Sequence, residues 1–437
     1  MNFRSQLILS QILVSMLVSG RVLVSQAMAQ ESDVSEDVEL SPQDWPWWRG
    51  PQRNGHATER KLPTKFGDSE NVLWKSHVPG RGHSSPVVVG GKIFLTSADE
   101  GEQVQYAIAY DLSTGKELWK LEIARGGFPE QNHRNNTEAS ATIAADGKRL
   151  FTTLFHHGII ELSALKLDGK LLWQKQASKF NPRRYRYGYA PSPLIYENLV
   201  IVSAEYDGED SSIAAFDRKT GVEVWRADRK ANITFSSPVV GKVAGRDQLF
   251  LSGSDQVSAY DPASGRRLWT AAGTTAATCG TAVWDGELVF ASGGYPDRET
   301  IAIVADGSGK IAWKNKQKCY EQSMIVVDGY LYGFTDQGVL YCWRCTDGRE
   351  MWRERLGGRV SASPIYAGGY VYWANESGTM YVFKPSPDRF NLEARNRLGS
   401  EAFASPAVSD GKLLLRVAEG KGSSRQEYLV CIGGTSS

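Results

Sequence analysis

Surplus charge is almost absent from this chain: 50 Lys and Arg stand against 49 Asp and Glu in 437 residues, a formal net charge of +1. No global electrostatic argument therefore favours nucleic acid or an anionic membrane as a partner. Cysteine is scarce too. Five is an odd number and too few for a disulfide scaffold. Cys342-Trp-Arg-Cys345 matches a CxxC spacing by letters, but no second CxxC or His pair accompanies it, as a zinc site would need. Long apolar runs are missing as well: the stretch from Leu7 to Val18 is too short to span a bilayer as a permanent helix. No G-x-S-x-G, HExxH or phosphate-loop motif stands out.

What is present is a repeat. A glycine, three residues and a tryptophan recur as Gly115/Trp119, Gly169/Trp173, Gly221/Trp225, Gly265/Trp269, Gly309/Trp313 and Gly348/Trp352. Successive tryptophans are 54, 52, 44, 44 and 39 residues apart, a period typical of strand-rich radial repeats. Each unit opens on a small-residue step: Ser85-Pro86, Ser140-Ala141, Ser192-Pro193, Ser237-Pro238, Gly280-Thr281, Ser323-Met324, Ser363-Pro364 and Ser405-Pro406. Apolar, β-branched runs bounded by Gly and Asp follow, as in PVVVGGKIFLTS (86–97), and read as strands and hairpins. Proline fits the start of an innermost strand, and Trp on the outermost strand buries a large area against the next unit. Cys342 and Cys431 fall in the small apolar slot that Ala109, Ala215 and Ala259 fill in other units.

Eight openings meet six intact Gly-Trp endings. Residues 385–398 lack the tryptophan, and the eighth unit stops at residues 431–434, before any fourth strand. ENVLWK (70–75) carries Trp74 but has no preceding strands of its own. The expectation is an all-β, eight-bladed β-propeller of four-stranded blades. The N-terminal segment supplies the last blade's outer strand, and closure removes the free sheet edges. A seven-bladed ring with one unit misread is the competing count. The expected divisions are a signal peptide at 1–29, an acidic disordered lead-in at 30–44, an extension packed on the propeller at 45–69, and the propeller at 70–434. Arg4, the apolar stretch and Ala27-Met28-Ala29 carry the signal-peptide reading.

The repeated TGKELW-type endings resemble the PQQ-like β-propeller repeat family, which includes the lipoprotein BamB and the quinoprotein alcohol dehydrogenases. WPWWRGPQRNG (45–55) resembles the N-terminal signature of secreted bacterial members. The resemblance implies an exported scaffold that recruits a protein partner in the cell envelope or an anionic ligand, BamB-like in outer-membrane protein assembly. The alternative is a quinone- or metal-dependent oxidoreductase with a site at the channel mouth. The dehydrogenases carry an adjacent Cys-Cys pair, which this chain lacks, so no cofactor is expected and PQQ is disfavoured. No cysteine lies near the cleavage site, so the expected product is a soluble, non-lipidated monomer in the periplasm or outside the cell.

Loop length points to a site. From each Trp to the next opening residue the chain runs 11, 21, 19, 12, 11, 10 and 11 residues. The two long connections lie on neighbouring blades, where repeat scaffolds carry binding loops. The first holds Arg125, His133, Arg134 and Asn136. The second, KFNPRRYRYGYAP (179–191), holds Arg183, Arg184, Tyr185, Arg186 and Tyr187 and no acid. Arginine forks and tyrosine faces suit anions and protein partners. Two plainer readings compete: the tyrosines pack the loop onto the ring, or the arginines pair with acids at Asp99–Glu102 and Glu205–Asp210. His83 lies on a neighbouring channel-mouth loop. His133 with His157 is a weak metal candidate. Cys279 and Cys319 precede innermost strands of adjacent blades and are either a disulfide or two free thiols.

Overall fold

The computed structural model describes residues 39–59 and 61–434. The expected signal peptide and the acidic residues up to 38 lie outside the described residues. The chain forms eight antiparallel four-stranded sheets in sequence order, an eight-bladed propeller. Seven blades are simple meanders. The eighth takes its outer strand from the other end of the chain: Val72–Val78 pairs with Gln426–Ile432, with Trp74 opposite Cys431.

The repeated tryptophan has one structural job. Each faces a small residue on the third strand of its own blade: Trp119 opposite Ala109, Trp173 opposite Ala164, Trp225 opposite Ala215, Trp269 opposite Ala259, Trp313 opposite Ala302, and Trp352 opposite Cys342. A β-bulge follows each of these pairs and re-aims the outer strand. The indole then reaches the next blade. Trp74, Trp119, Trp225, Trp313 and Trp352 donate Nε1–H to the carbonyls of Leu112, Leu167, Pro262, Cys345 and Ser386, which follow the next blade's third strand. Trp269 instead donates to Gln248 Oε1 (2.8 Å) in its own blade. The repeat's glycine explains itself at the same contact. Gly115 has φ +71°, and a Cβ there would lie 2.6 Å from Trp74 Cδ2; one at Gly265 would lie 2.4 Å from Trp225 Cε3. Glycine thus serves both the left-handed turn and the preceding blade's indole.

Blade seven has Ala394 opposite Val382, where the others place tryptophan. The N-terminal extension fills that seam. Phe66 is buried in one cluster with Tyr372, Val382 and Ala394 of blade seven and Leu414 and Cys431 of blade eight. Asn396 holds the segment there: its Oδ1 accepts from Phe66 N–H (3.1 Å) and its Nδ2 donates to Thr64 O (2.8 Å).

The same extension closes one end of the central channel. Trp45 exchanges backbone hydrogen bonds with Val88 of blade one, and Pro46 O accepts from Ala145 N–H of blade two. Arg53 donates to Ile195 O of blade three, Arg49 to Met324 O of blade six, and Gly55 O accepts from Tyr366 N–H of blade seven. Arg49 is fully buried with no carboxylate partner among the described residues, and burial pulls its guanidinium down to about 9. Leu40 packs on the first blade's cluster and Asp44 is buried, so the ordered extension begins earlier than residue 45.

At the other end of the innermost strands, hydroxyls link blade to blade. Backbone N–H of Ser85 donates to Thr142 Oγ1, Thr142 to Ser192 Oγ, and Ser192 to Ser237 Oγ. Thr281 donates to Ser323 Oγ, Ser323 to Ser363, Ser363 to Ser405, and Ser405 back to Ser85, all near 3 Å. Only the step from Ser237 to Thr281 lacks this bond; there Ser236 Oγ donates to Gly280 O (3.0 Å). The ring corrects two blade openings. Blade two begins at Thr142-Ile143, not Ser140-Ala141, and blade five at Thr281-Ala282, not Gly280-Thr281. The hydroxyl that bonds the neighbouring amide fixes the register, and Ser140 only repeats its residue type. All five cysteines are free thiols; Cys279 and Cys319 belong to different apolar clusters.

Trp225 is 9 % exposed and bridges blades three and four, so Trp225→Ala should lower stability by about 3–5 kcal/mol in urea denaturation. A loss under about 1 kcal/mol would show that the indoles do not carry the blade interfaces.

Candidate functional site

The residue two positions before each ring hydroxyl shares its face in the extended chain. Those eight are His83, Ser140, Ala190, Phe235, Cys279, Glu321, Ser361 and Phe403. Every one lines a single cavity of about 150 Å³ at the channel mouth. Below them lie the hydroxyls of Ser85, Thr142, Ser192, Ser237 and Ser405. Trp48 of the extension lines the cavity as well and donates Nε1–H to Thr281 Oγ1 (2.9 Å). The channel is therefore a one-ended cup: plugged by residues 45–57, ringed by hydroxyls, and open towards the loops.

The two long loops build one wall. Asn136 Nδ2 donates to Tyr187 O (2.6 Å), and the His133 ring sits edge-on to Tyr187 at 4.9 Å. Tyr187 stacks on Phe235 (6.1 Å) and Tyr185 meets Tyr295 edge-on (5.6 Å). Asn135 N–H donates to His133 Nδ1 (3.2 Å), which places the neutral ring's proton on Nε2. Burial and the adjacent Arg134 hold His133 below the usual histidine range. His83 lies parallel to Phe403 at 4.5 Å, and its Nε2 is enclosed. Burial, then Arg81, Arg416 and Arg425, push it well below the ordinary value. Both histidines are neutral near pH 7, so the wall is polar but uncharged.

Of the residues singled out from the sequence, His83, His133, Asn136 and Tyr187 line the cup, and Arg134 lines an adjoining cavity. Arg125 does not reach either; it pairs with Glu122 (2.6 Å) on its own strand. Arg183, Arg184 and Arg186 are exposed and line neither cavity. The Asp207 carboxylate accepts the backbone N–H groups of Arg183 (2.8 Å) and Arg184 (3.0 Å), fixing the loop rather than neutralising its guanidinium groups. Arg183 itself donates to Asp207 O (3.0 Å). Of the other acids of that neighbouring turn, Glu205 forms a fully buried ion pair with Arg229, Asp210 meets Lys179, and Glu209 is exposed. His157 lines neither cavity; its Nδ1 faces His156 Nδ1 at 3.0 Å. Among the described residues no group of three His, Cys, Asp or Glu converges as a metal site requires.

Sequence reasoning missed Glu321, which lines both cavities. Burial pushes its carboxyl up to about 7, opposed by hydrogen bonds from Ser361 and Asn135 and assisted by nearby Glu376 and Asp336. Burial likewise raises the Cys279 thiol well above its ordinary value. The periodic signal that would have found Glu321 is its place two residues before Ser323.

An eight-bladed propeller with a cup at one end of its channel defines the class. The family model described as "Outer membrane protein assembly factor BamB" matches residues 103–354, and the chain belongs to that family of PQQ-like β-propeller repeats. The outer membrane protein assembly factor BamB of Burkholderia pseudomallei (strain K96243) is 24 % identical over 389 residues, covering 83 % of this chain and 91 % of the relative. Among solved structures, a europium-containing methanol dehydrogenase aligns with a TM-score of 0.67 at 12 % identity, covering 90 % of this chain and 98 % of that one. BamB from Moraxella catarrhalis aligns at 0.60 and 14 % identity, covering 84 % and 98 %. At these identities the structural likeness speaks for the fold alone.

Because Glu321 holds its proton more tightly folded than unfolded, stability should fall as pH rises from its ordinary 4.5 to about 7. The change is on the order of 3 kcal/mol. Glu321→Gln, neutral at every pH, should flatten that slope in urea denaturation across the window. An equal slope in both proteins would mean that Glu321 titrates normally.

Proposed function

We propose that this protein is an exported envelope scaffold that takes a protein partner on the loop face, in outer-membrane protein assembly. Residues 1–29 act as the export signal, and the mature chain works as a soluble, non-lipidated monomer. The observation that carries the reading is the build of the two long loops. They are locked to each other through Asn136, His133 and Tyr187, while Arg184 and Arg186 are exposed without ion pairs among the described residues. Tyr295, 48 % exposed, extends the same rim against Tyr185. Preorganised aromatic and arginine side chains of this kind are the usual anchors of a protein interface. Family membership supports the same reading, since the matching relatives are named as assembly factors.

The second reading, a quinone-dependent oxidoreductase, has the cup at the channel mouth in its favour. It has no adjacent Cys-Cys pair to set against a quinone ring.

The triple variant Arg183→Ala/Arg184→Ala/Arg186→Ala should fold normally, because its side chains are exposed. It should lose the capture of outer-membrane assembly proteins from envelope extract, and wild-type capture should weaken as salt shortens the screening length below about 8 Å. Undiminished, salt-independent capture by the variant would move the partner surface elsewhere. Bound quinone in wild-type absorbance spectra after incubation with PQQ and calcium would favour the second reading.

A further inference from the structure

Beside the cup lies a second cavity of about 310 Å³, formed by the first long loop and by loops of blades five to seven. Arg134, Arg298, Lys318 and Arg359 line it, against Glu321, Asp336 and Glu376. Among the described residues only Lys318 of these four is in an ion pair, with Asp336 Oδ2 at 3.2 Å. Arg298 meets the side-chain oxygen of Gln337 at 3.0 Å, with that amide turned to face it. Arg134 and Arg359 have no side-chain hydrogen bond or ion pair among the described residues. Three guanidinium groups gathered on one cavity repel one another unless an anion sits between them.

The acids do not supply that anion in full. Ser361 Oγ lies 2.5 Å from Glu321 Oε2 and 2.8 Å from Glu376 Oε1. A hydroxyl has one hydrogen, and ionised carboxylates only accept, so one of the two contacts requires a carboxyl proton. Asn135 Nδ2 donates to Glu321 Oε1 (3.1 Å), and Ser361 Oγ bridges Glu321 Oε2 and Glu376 Oε1, so one carboxyl proton completes the chain. The two glutamates thus share one proton and titrate as a pair. Around them stand His133 and Arg134 of the long loop and Cys279 of blade five. Lys318, Tyr320 and Asp336 face them from blade six, and Arg359 from blade seven. With one proton held, the four cations of the cavity face two carboxylates.

We propose that this cavity binds an oxyanion, carboxylate or phosphate, through Arg134, Arg298 and Arg359, and that the proton shared by Glu321 and Glu376 keeps the cavity positive enough to do so. Arginine forks match the paired oxygens of both groups. The site adds to the partner reading and does not rest on it, because a small ion probes it without any partner protein.

The test is calorimetric titration of the intact protein with sulfate and, separately, with acetate, at about pH 6 and about pH 8, where both probes stay fully ionised. Wild type should bind up to about tenfold more tightly at the lower pH, following the protonated fraction of a group near 7. Sulfate alone binding supports a phosphate-type ligand; acetate binding supports a carboxylate. Arg134→Ala/Arg298→Ala/Arg359→Ala should lose at least about tenfold in affinity with an unchanged unfolding midpoint. Glu321→Gln should bind equally at both pH values. The proposal is overturned if wild type binds neither probe at the lower pH. It is equally overturned if the arginine variant binds as wild type does, or if Glu321→Gln keeps the full pH dependence.

Discussion

A ring has no end at which a misfit can be relieved, and here closure depends on residues from the far end of the chain. The eighth blade is complete only when Val72–Val78 joins it. That strand brings Trp74, whose indole docks on Gly115 of blade one as the other repeat tryptophans dock on their neighbours. The seam that lacks its own tryptophan, between blades seven and eight, is filled by Phe66 of the same segment. Every blade interface is thus set by an aromatic ring, and two of the eight rings come from residues before the first complete blade. Such closure also removes the two open edges on which strands of other chains could pair.

The site follows from the closure. The extension that completes the ring also plugs the channel, so the hydroxyl-bonded ring above it bounds a cup rather than a pore. Seven bonds between hydroxyls and backbone amides hold the innermost positions in register. The residues two positions earlier are therefore presented on a rigid frame, where side chains keep their geometry without help from a ligand. This tier is where the blades stop resembling one another. His83, Phe235, Cys279, Glu321 and Phe403 occupy equivalent places with unlike chemistry, which is the pattern of a repeat scaffold that carries function at one variable position per unit.

Much of the fold was legible in the sequence because its signals are local. The glycine and the tryptophan of one repeat lie four residues apart, and the small residue opposite the indole recurs at a fixed place in the third strand, so Cys342 and Cys431 could be placed in that slot. Register was less legible. Ser140 imitates a ring serine, and only the bond from the Thr142 amide to Ser192 Oγ shows which residue faces the neighbouring blade. The site was half legible. Loop length pointed to His133, Asn136 and Tyr187. Glu321 and Arg359 sit in short connections and gain their meaning from neighbours contributed by other blades. Arg125 looked free in the sequence because its partner, Glu122, lies three residues away on the same strand, in a reach that composition does not reveal.

The most direct test of the account is native-state hydrogen exchange of the intact protein, read at the amides of residues 72–78 and 45–57 and compared with those of the inner blade strands. If the N-terminal segment closes the ring and plugs the channel, these amides exchange only through the same global opening as the blade strands, with the same free energy. Exchange of the segment through an independent, lower-energy opening, with the blades still protected, would contradict it.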